Sequence, residues 1–294
     1  MPKVRKAVIT DAGFASRYLP ITKTVPKAML PLGNRPVMQL VVEECVAAGI
    51  EEIIIVATPE GKPIYEDYFN NSVNRIRKQL ASQGKEDRYE PVQHVLDYPK
   101  IIVITQDPAL PYGNGSPVAS AKDFLTKEEA FLVLYSDDVI FGKKGAAKAL
   151  VEAYEKNPEA EAIIAVQEVK GKEIEKYGAV KFKSGAEEVE TVVEKPKVEK
   201  APSNLASYGR YLLKPSIFDY LNNAEIGKDD ELWTADAVAK IAKKAKVLTA
   251  RAEGEWMTTG DPENYFIAHL NFVLNHEKYA EKVVNHVKEF QKRK

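Results

Sequence analysis

The chain has 294 residues, of which 29% are charged and 45% hydrophobic, and its formal net charge is −1 at pH 7. Because acidic and basic residues are balanced and interspersed, no broad field favours nucleic acid or an anionic membrane as a partner. The single cysteine, Cys45, excludes an intramolecular disulfide. Without a long apolar span or a signal-peptide pattern, we expect a cytoplasmic protein that binds neither nucleic acid nor membrane.

Strand-like and helix-like segments alternate through the first half of the chain. Short apolar runs predict strands at residues 7–9, 52–57, 101–105 and 130–135. The segments between them predict helices at residues 34–49, 61–97 and 115–125. This βαβαβ order predicts an α/β fold with a parallel, doubly wound sheet, in which ligands bind at the carboxyl ends of the strands.

The second half has a more mixed pattern. Strands are predicted at residues 160–169, 178–182, 189–193 and 246–257, and some of these alternate in a way that suits antiparallel pairing. Helices are predicted at residues 215–222 and 234–245, and one long amphipathic helix from residue 261 onward. Because no repeat or Gly/Ser linker interrupts the chain, we expect a single domain over residues 1–294.

The first predicted strand is followed by residues that suit phosphate binding. Ala12 and Gly13 are small enough for backbone N–H groups to approach a ligand closely, and two cations follow, Arg17 and Lys27. A small-residue turn with fixed positive charge after a strand predicts a polyphosphate site, and a plain turn is the alternative. No Gly-Lys-Ser/Thr sequence closes the loop, so it is not a Walker motif.

Two adjacent carboxylates follow the predicted strand that ends at Tyr135. Asp137 and Asp138 lie where a central strand would reach the ligand crevice, and carboxylate oxygens there suit Mg²⁺. A pair of aspartates that caps a loop fits the same position. The neighbouring phosphate loop favours the metal site.

Two later clusters combine polar side chains with glycine. Gln106 and Gly113 follow a predicted strand, where a side-chain amide beside flexible backbone can read a base edge. Gly178 begins another strand, and Glu194 and Lys195 end the next one. A carboxylate and an ammonium at such an end suit the hydroxyls and the phosphate of a sugar. A helix-capping turn and a solvent-exposed ion pair are the respective alternatives.

Taken together, these motifs resemble those of the bacterial-type UTP–glucose-1-phosphate uridylyltransferases, a branch of the sugar-phosphate nucleotidyltransferases. The resemblance spans almost the whole chain and is carried by residues 6–20, 26–31, 135–139, 194–197, 201–206 and 209–211. It implies a Rossmann-like, doubly wound mixed sheet of glycosyltransferase-A-like architecture, with a smaller antiparallel part that binds the sugar. It also implies a nucleotide-binding half (1–145), a sugar-phosphate-binding half (146–260) and a C-terminal helix (261–294).

The resemblance further implies an activity and its residues. The reaction would join UTP and glucose 1-phosphate into UDP-glucose and pyrophosphate, with Mg²⁺ as cofactor. The implied roles are catalysis by Arg17 and Lys27, nucleotide binding by Ala12, Gly13, Gln106 and Gly113, Mg²⁺ binding by Asp137, hexose binding by Gly178 and Glu194, and sugar-phosphate binding by Lys195. The amphipathic C-terminal helix suggests a homo-oligomer, a dimer or tetramer, although it could equally pack on its own core.

Three positions depart from the family pattern. Asp11 replaces a small residue, Ala15 replaces a glycine, and Thr258 stands where relatives carry an aspartate that supplies a second Mg²⁺ ligand. A nearby aspartate, Asp261, is expected to cap a helix rather than replace that ligand. The departures keep two alternatives open: a catalytically silent regulatory relative that binds a sugar nucleotide, and a nucleotidyltransferase with a different base or sugar specificity.

Overall fold

The computed structural model of the chain describes residues 3–184, 187–222 and 230–293. The strands are β1 (Lys6–Asp11), β2 (Pro31–Leu32), β3 (Arg35–Pro36), β4 (Glu52–Ala57), β5 (Lys100–Thr105), β6 (Phe131–Tyr135), β7 (Asp138–Lys144), β8 (Ala162–Glu168), β9 (Gly178–Phe182), β10 (Val189–Glu194), β11 (Leu205–Leu213), β12 (Val247–Ala250) and β13 (Glu253–Thr258). Short 3₁₀ turns lie between some of them, including Ser16–Tyr18 and Lys27–Met29.

Helices connect these strands and cover the sheet. They are α1 (Val37–Ala47), α2 (Gly61–Asn70), α3 (Asn74–Ser82), α4 (Glu90–Leu96), α5 (Gly115–Ser120), α6 (Lys122–Leu125), α7 (Ala146–Lys156), α8 (Ile217–Asn222), α9 (Thr234–Ala242), α10 (Pro262–Leu274) and α11 (Ala280–Lys292). None of the helices in the described ranges combines the length and the apolar character needed to cross a bilayer.

The main sheet is mixed, and its parallel part carries the first half of the chain. The strand order is β10–β9–β11–β6–β1–β4–β5, with β8 paired to β11 and β12 paired to β8. Strands β6, β1, β4 and β5 run parallel, whereas β11 runs antiparallel to β6 and to β8. The predicted α/β class with a doubly wound mixed sheet is therefore confirmed, including the antiparallel part.

The central strands are apolar on both faces because helices cover the sheet on both sides. In β1 and β4, five of the six positions are buried. Successive residues point to opposite faces, so Ile53 and Ile55 join one hydrophobic cluster, and Ile54 and Val56 join the other. A continuous apolar run such as residues 52–57 is typical of a strand buried in this way.

The C-terminal segment contradicts one prediction. Residues 261–294 do not form one long helix, because α10 ends at Leu274 and α11 begins at Ala280. The Asn275 side chain donates to the carbonyl of Asn271, and the His276 ring stacks on Tyr279 at 4.3 Å between centroids. Asparagine and histidine are weak helix formers, and their local contacts favour a turn over continued helix.

Two further strand predictions required correction. The segment 246–257 forms two strands, since β12 pairs with β8 in the main sheet whereas β13 pairs with β7 in a separate two-stranded sheet. Strand β11 was not predicted at all, although eight of its nine residues are buried. Polar Ser207 and Arg210 interrupt its apolar pattern, and each finds buried partners that only the folded chain supplies.

Candidate active site

The carboxyl ends of the parallel strands open into one cleft of about 710 Å³. Every site residue predicted from the sequence lines this cleft: Ala12, Gly13, Arg17, Lys27, Gln106, Gly113, Asp137, Gly178, Glu194 and Lys195. Strands β1, β5 and β6 bring the first seven to one side, and β9 and β10 bring the last three to the other. The structure thus places these side chains together, while their individual roles stay predictions.

An ion pair lies at the centre of the cleft. The Nζ of Lys27 donates to Oδ2 of Asp137, and the two side chains are only 17% and 26% exposed. Burial opposes the charge of Lys27, but attraction to the carboxylates of Asp137 and Asp11 together outweighs it and raises the pKa of Lys27. Burial likewise disfavours the charged form of Asp137, yet Lys27 lowers its pKa overall. Both groups therefore stay charged at neutral pH.

A buried arginine fixes the backbone on both sides of Asp137. The side chain of Arg210 is fully buried, and its guanidinium donates to Oε2 of Glu44 at 2.9 and 3.0 Å. It also donates to the carbonyls of Tyr135 (2.8 Å) and Asp138 (2.5 Å). Because one rigid, planar group holds both carbonyls, the position of Asp137 between them is defined by the core.

Strand β13 pairs with β7 beside the cleft and carries Thr258. In the β13–β7 register, Thr258 pairs with Asp138, and its hydroxyl accepts a hydrogen bond from the Gly260 amide at 3.1 Å. A Cβ on Gly260 would lie 3.2 Å from both Oδ2 of Asp137 and Oγ1 of Thr258. The neutral hydroxyl of Thr258 therefore lies beside Asp137. The family pattern has an aspartate at this position.

The second carboxylate of the pair has a different environment. Asp138 is 6% exposed, and its Oδ1 accepts a hydrogen bond from Nε1 of Trp256 at 2.8 Å. Burial, followed by the nearby charge of Asp137, raises the pKa of Asp138 to about 7. Asp137 and Asp138 both line the cleft, and Asp138 is additionally held by the ring N–H of Trp256.

The carboxylate of Asp11, which lines the cleft, is held by two buried hydroxyl groups. Its Oδ2 accepts a hydrogen bond from the Tyr65 hydroxyl, and its Oδ1 accepts one from Oγ of Ser136 at 2.6 Å. Burial raises the pKa of Asp11, against the opposing effect of Lys27. The carboxylate joins the ends of β1 and β6 to α2, so it acts as a structural bridge at the wall of the cleft.

This bridge leads to a stability prediction. Replacing Asp11 with Ala leaves the buried hydroxyls of Tyr65 and Ser136 without their acceptor, which costs about 1–3 kcal/mol for each such group. We expect Asp11→Ala to lower the free energy of unfolding by about 2 kcal/mol in urea titrations. Adding Tyr65→Phe to that variant removes one orphaned hydroxyl and should recover part of the loss. A variant as stable as wild type would contradict the bridge.

Two residues other than glycine adopt left-handed backbone conformations at the cleft. Ala15 has φ +46° and Lys195 has φ +43°. The Ala15 carbonyl accepts hydrogen bonds from the Tyr18 amide and the Thr22 hydroxyl, both at 3.0 Å, which hold the strained residue in place. Alanine thus occurs where φ is positive, at a cost of about 1 kcal/mol or more relative to glycine.

The loop after β5 is closely joined to the second half of the chain. Gly113 has φ +131°, and a Cβ there would lie 2.3 Å from the carbonyl oxygen of Leu232. The Leu232 amide donates to the Tyr112 carbonyl at 2.7 Å, and the Leu232 carbonyl accepts from the Gly115 amide at 2.8 Å. Gly113 is therefore required by a close backbone approach, in addition to its predicted place at the nucleotide site.

The sugar side of the cleft is built on the β9–β10 pair. Gly178 pairs with Glu194, and a Cβ on Gly178 would lie 3.1 Å from the carboxylate Oε2 of Glu194 and 2.8 Å from Val192. The glycine thus makes room for the carboxylate at the cleft wall. Lys195 follows, and its amide donates to the Tyr177 carbonyl at 3.1 Å.

The sequence motifs do not identify several residues that support these groups. They are Tyr65, Ser136, Arg210, Trp233 and Trp256. Arg210 lies inside a matched motif, but only the folded chain shows its acceptors on Glu44, Tyr135 and Asp138. The expected role of Asp261 is confirmed, because its Oδ1 caps α10 by accepting from the Asn264 amide at 3.0 Å.

The doubly wound sheet and the charged cleft at its strand ends define a nucleotidyltransferase. The model of the family described as "Nucleotidyl transferase" matches residues 6–274, and the chain belongs to this family. It is 36% identical over 293 residues to UTP–glucose-1-phosphate uridylyltransferase 1 of Staphylococcus saprophyticus, covering 99% of this chain and 100% of that protein. The corresponding enzyme of Staphylococcus epidermidis is also 36% identical, with 98% and 99% covered.

Solved structures of uridylyltransferases share the fold. A UTP-bound UDP-glucose pyrophosphorylase of Acinetobacter baumannii superposes with a TM-score of 0.86 at 29% identity, covering 98% of this chain and 99% of that one. A UDP-glucose pyrophosphorylase in complex with UDP-glucose gives a TM-score of 0.81 at 30% identity, covering 93% and 100%. The predicted family, fold and enzyme class are thereby confirmed.

Proposed function

We propose that this chain transfers the uridylyl group of UTP to glucose 1-phosphate, which yields UDP-glucose and pyrophosphate. The observation that carries the proposal is the single cleft, in which two cations, a carboxylate and the predicted sugar-binding groups face one another. The names of the relatives favour UTP and glucose 1-phosphate over other pairs of substrates. Because nucleoside triphosphates are made and used inside cells, a cytoplasmic location belongs to the same proposal.

The chemistry needs no general base. The second pKa of a phosphate monoester is about 6, so the attacking oxygen of glucose 1-phosphate is already ionised near neutral pH. That oxygen forms a bond to the α-phosphorus of UTP, while the bond from this phosphorus to the bridging oxygen breaks and pyrophosphate leaves with the electron pair. Catalysis then consists of in-line positioning and stabilisation of the developing negative charge.

Each side of the cleft takes one substrate in this proposal. In the half formed by residues 1–145, Arg17 and Lys27 hold the triphosphate and stabilise the leaving pyrophosphate, and Ala12, Gly13, Gln106 and Gly113 hold the uridine. In the half formed by residues 146–260, Gly178 and Glu194 contact the hexose, and Lys195 contacts its phosphate. Lys27 pairs with Asp137 within the first half, so its ammonium lies beside the carboxylate that would bind Mg²⁺.

The donor set at Asp137 fits Mg²⁺ carried by a nucleotide. In the described part of the chain, no cluster of three or more His, Cys, Asp or Glu side chains could hold a metal by itself. Mg²⁺ commonly uses one or two carboxylates together with substrate phosphates and water. Asp137, with Thr258 beside it, supplies one carboxylate and one hydroxyl. Bound there, Mg²⁺ would neutralise phosphate charge.

The single carboxylate predicts weak metal affinity without a nucleotide. Replacing Thr258 with Asp adds a second carboxylate beside Asp137, and we expect the affinity for Mn²⁺, used as a paramagnetic probe of the nucleotide-free protein, to rise at least tenfold. Electron paramagnetic resonance of free Mn²⁺ measures this directly. Thr258→Ser keeps a hydroxyl and serves as the matched control. An Asp variant that binds Mn²⁺ no better than the control would place Thr258 outside the metal site.

The proposal is tested by pyrophosphate release in the presence of UTP, glucose 1-phosphate and Mg²⁺. We expect turnover with this pair to exceed that with other nucleoside triphosphates or hexose 1-phosphates. Fast turnover with a different pair of substrates would contradict the proposed specificity but not the enzyme class.

The replacement of an aspartate by Thr258 favours a second candidate function, that of a catalytically silent regulator. UDP-glucose binding in calorimetry without turnover of any pair would support that candidate and contradict the proposal.

We also propose a homo-oligomer, a dimer or tetramer, that uses α10. Four large apolar side chains on this helix are 41–68% exposed: Phe266, Ile267, Leu270 and Leu274. A contiguous apolar stripe of this kind favours association between copies. Light scattering at micromolar concentration should give a mass of at least two chains, and the mass of one chain would contradict the proposal.

A further inference from the structure

Lys195 is held in an unusual backbone conformation at the sugar side of the cleft. Its φ of +43° lies in the left-handed region, which residues other than glycine rarely adopt. Its amide donates to the Tyr177 carbonyl at 3.1 Å, and Pro196 fixes the chain that follows. Strain of this kind persists when the surroundings over-determine a residue, and it occurs preferentially at functional sites.

The ammonium of Lys195 rests on an aromatic ring. Its Nζ lies 4.2 Å from the centroid of the Trp233 ring, well inside the range of a cation–π contact. Trp233 is only 8% exposed and lines the same cleft. Tryptophan has the most favourable ring face for a cation. Lys195 itself is exposed, so the contact belongs to the weaker end of the range for cation–π pairs.

The backbone of Trp233 is joined to the loop of the nucleotide side. Its preceding residue, Leu232, exchanges backbone hydrogen bonds with Tyr112 and Gly115. The residue that follows Trp233, Thr234, is also held to this loop, because its amide donates to Oδ1 of Asn114 at 2.8 Å. The ring that contacts Lys195 is therefore attached to the loop that contains Gly113.

We propose that Trp233 is a positioning residue for Lys195. Its ring holds the ammonium at the cleft wall and ties it to the loop of the nucleotide site, so that the cation is in place when the hexose 1-phosphate arrives. The inference rests on the proposed function, because that function assigns Lys195 to the phosphate of the sugar. Sequence reasoning alone assigned Trp233 no role.

A double-mutant cycle tests the contact. We expect Trp233→Leu to raise the KM for glucose 1-phosphate about 2- to 5-fold, the range for a cation–π contact whose cation is exposed. The KM for UTP should stay unchanged, and Trp233→Phe, which keeps a ring face, should recover most of the loss. In the background of Lys195→Met, Trp233→Leu should have almost no further effect, because the contact is already absent.

A matched control removes a similar contact outside the cleft. The Nζ of Lys244 lies 5.6 Å from the centroid of the Tyr220 ring, and neither residue lines the cleft. Tyr220→Leu should leave both KM values unchanged. The inference is overturned if Trp233→Leu and Lys195→Met act independently, if Trp233→Phe is as impaired as Trp233→Leu, or if the KM for UTP rises equally.

A second measurement tests the inference if the Trp233→Leu variant folds poorly. Site-specific incorporation of fluorinated tryptophans at position 233 keeps the shape of the ring and weakens the negative charge of its face. The KM for glucose 1-phosphate should rise stepwise with each added fluorine, and a constant KM would overturn the inference. Wild-type protein without turnover would instead contradict the proposed function, so the two failures are distinguishable.

Discussion

Lys27→Ala should reduce kcat/KM for pyrophosphate release by about 10³-fold or more, because it removes the most buried cation of the cleft. One preorganised group that stabilises transition-state charge is worth about 10²–10³ in kcat, and a cation on a transferring phosphoryl group is worth about 10³–10⁵. The effect should fall mainly on kcat, since charge on the leaving pyrophosphate develops in the transition state. Steady-state kinetics with saturating glucose 1-phosphate measures it.

Lys23→Ala is the matched control for this variant. Lys23 is an exposed lysine on the neighbouring 3₁₀ turn and does not line the cleft, so its removal should leave kcat/KM within about twofold. Melting temperatures of both variants report any loss of folding, since Lys27→Ala leaves Asp137 without its ion-pair partner. A folded Lys27→Ala protein with near wild-type kcat would remove Lys27 from the reaction.

Asp137→Asn should lower kcat by about 10²–10³-fold and flatten the dependence of the rate on Mg²⁺ concentration. The amide keeps the size of the side chain but loses the charge that suits a hard dication. It also loses its charge–charge attraction to Lys27, so the ammonium is no longer held beside residue 137. Rates measured across a Mg²⁺ titration separate the metal effect from the loss of positioning.

Asp67→Asn provides the corresponding control, since Asp67 is an exposed carboxylate on α2 whose partner is Asn71 of the same segment. Its Mg²⁺ dependence should match that of wild type. If Asp137→Asn kept a wild-type Mg²⁺ titration, the cation would have to bind elsewhere in the cleft, and the assignment of Asp137 would be wrong.

The features that the sequence predicted well depend on local pattern and on the geometry of parallel sheets. The run 52–57 became β4 with the predicted ends, because a strand buried on both faces is apolar at almost every position. The site residues after β1, β5 and β6 met in one cleft, because parallel strands present their carboxyl ends at the same edge. Gly178 and Glu194 reach the same cleft from the antiparallel pair β9–β10, which that rule does not cover. Predictions about Asp137 and Lys195 thus followed from their places directly after strands.

The features that the sequence did not predict depend on contacts between distant segments. Strand β11 contains Arg210, a charge that would be costly to bury without the carboxylate of Glu44, 166 positions away. Asp11 departs from the family pattern, and its hydrogen-bond partners Tyr65 and Ser136 lie 54 and 125 positions away. No pattern within a window of the sequence contains such pairings.

Each departure from the family pattern has its own physical explanation. The Asp11 carboxylate accepts hydrogen bonds from the buried hydroxyls of Tyr65 and Ser136. Ala15 keeps the left-handed backbone conformation that a glycine would adopt. Thr258 is the departure that reaches the reaction itself, because it lies beside the carboxylate proposed to bind Mg²⁺. The first two therefore bear on stability, and the third bears on metal affinity.

A crystal structure of the complex with UDP-glucose tests the central proposal most directly, because the product spans both sides of the cleft. We predict the uracil beside Gln106, the diphosphate between Arg17 and Lys195, and the glucose hydroxyls at Glu194. A ligand bound outside the cleft, or one whose sugar and base lie on the sides opposite to these, would contradict the account.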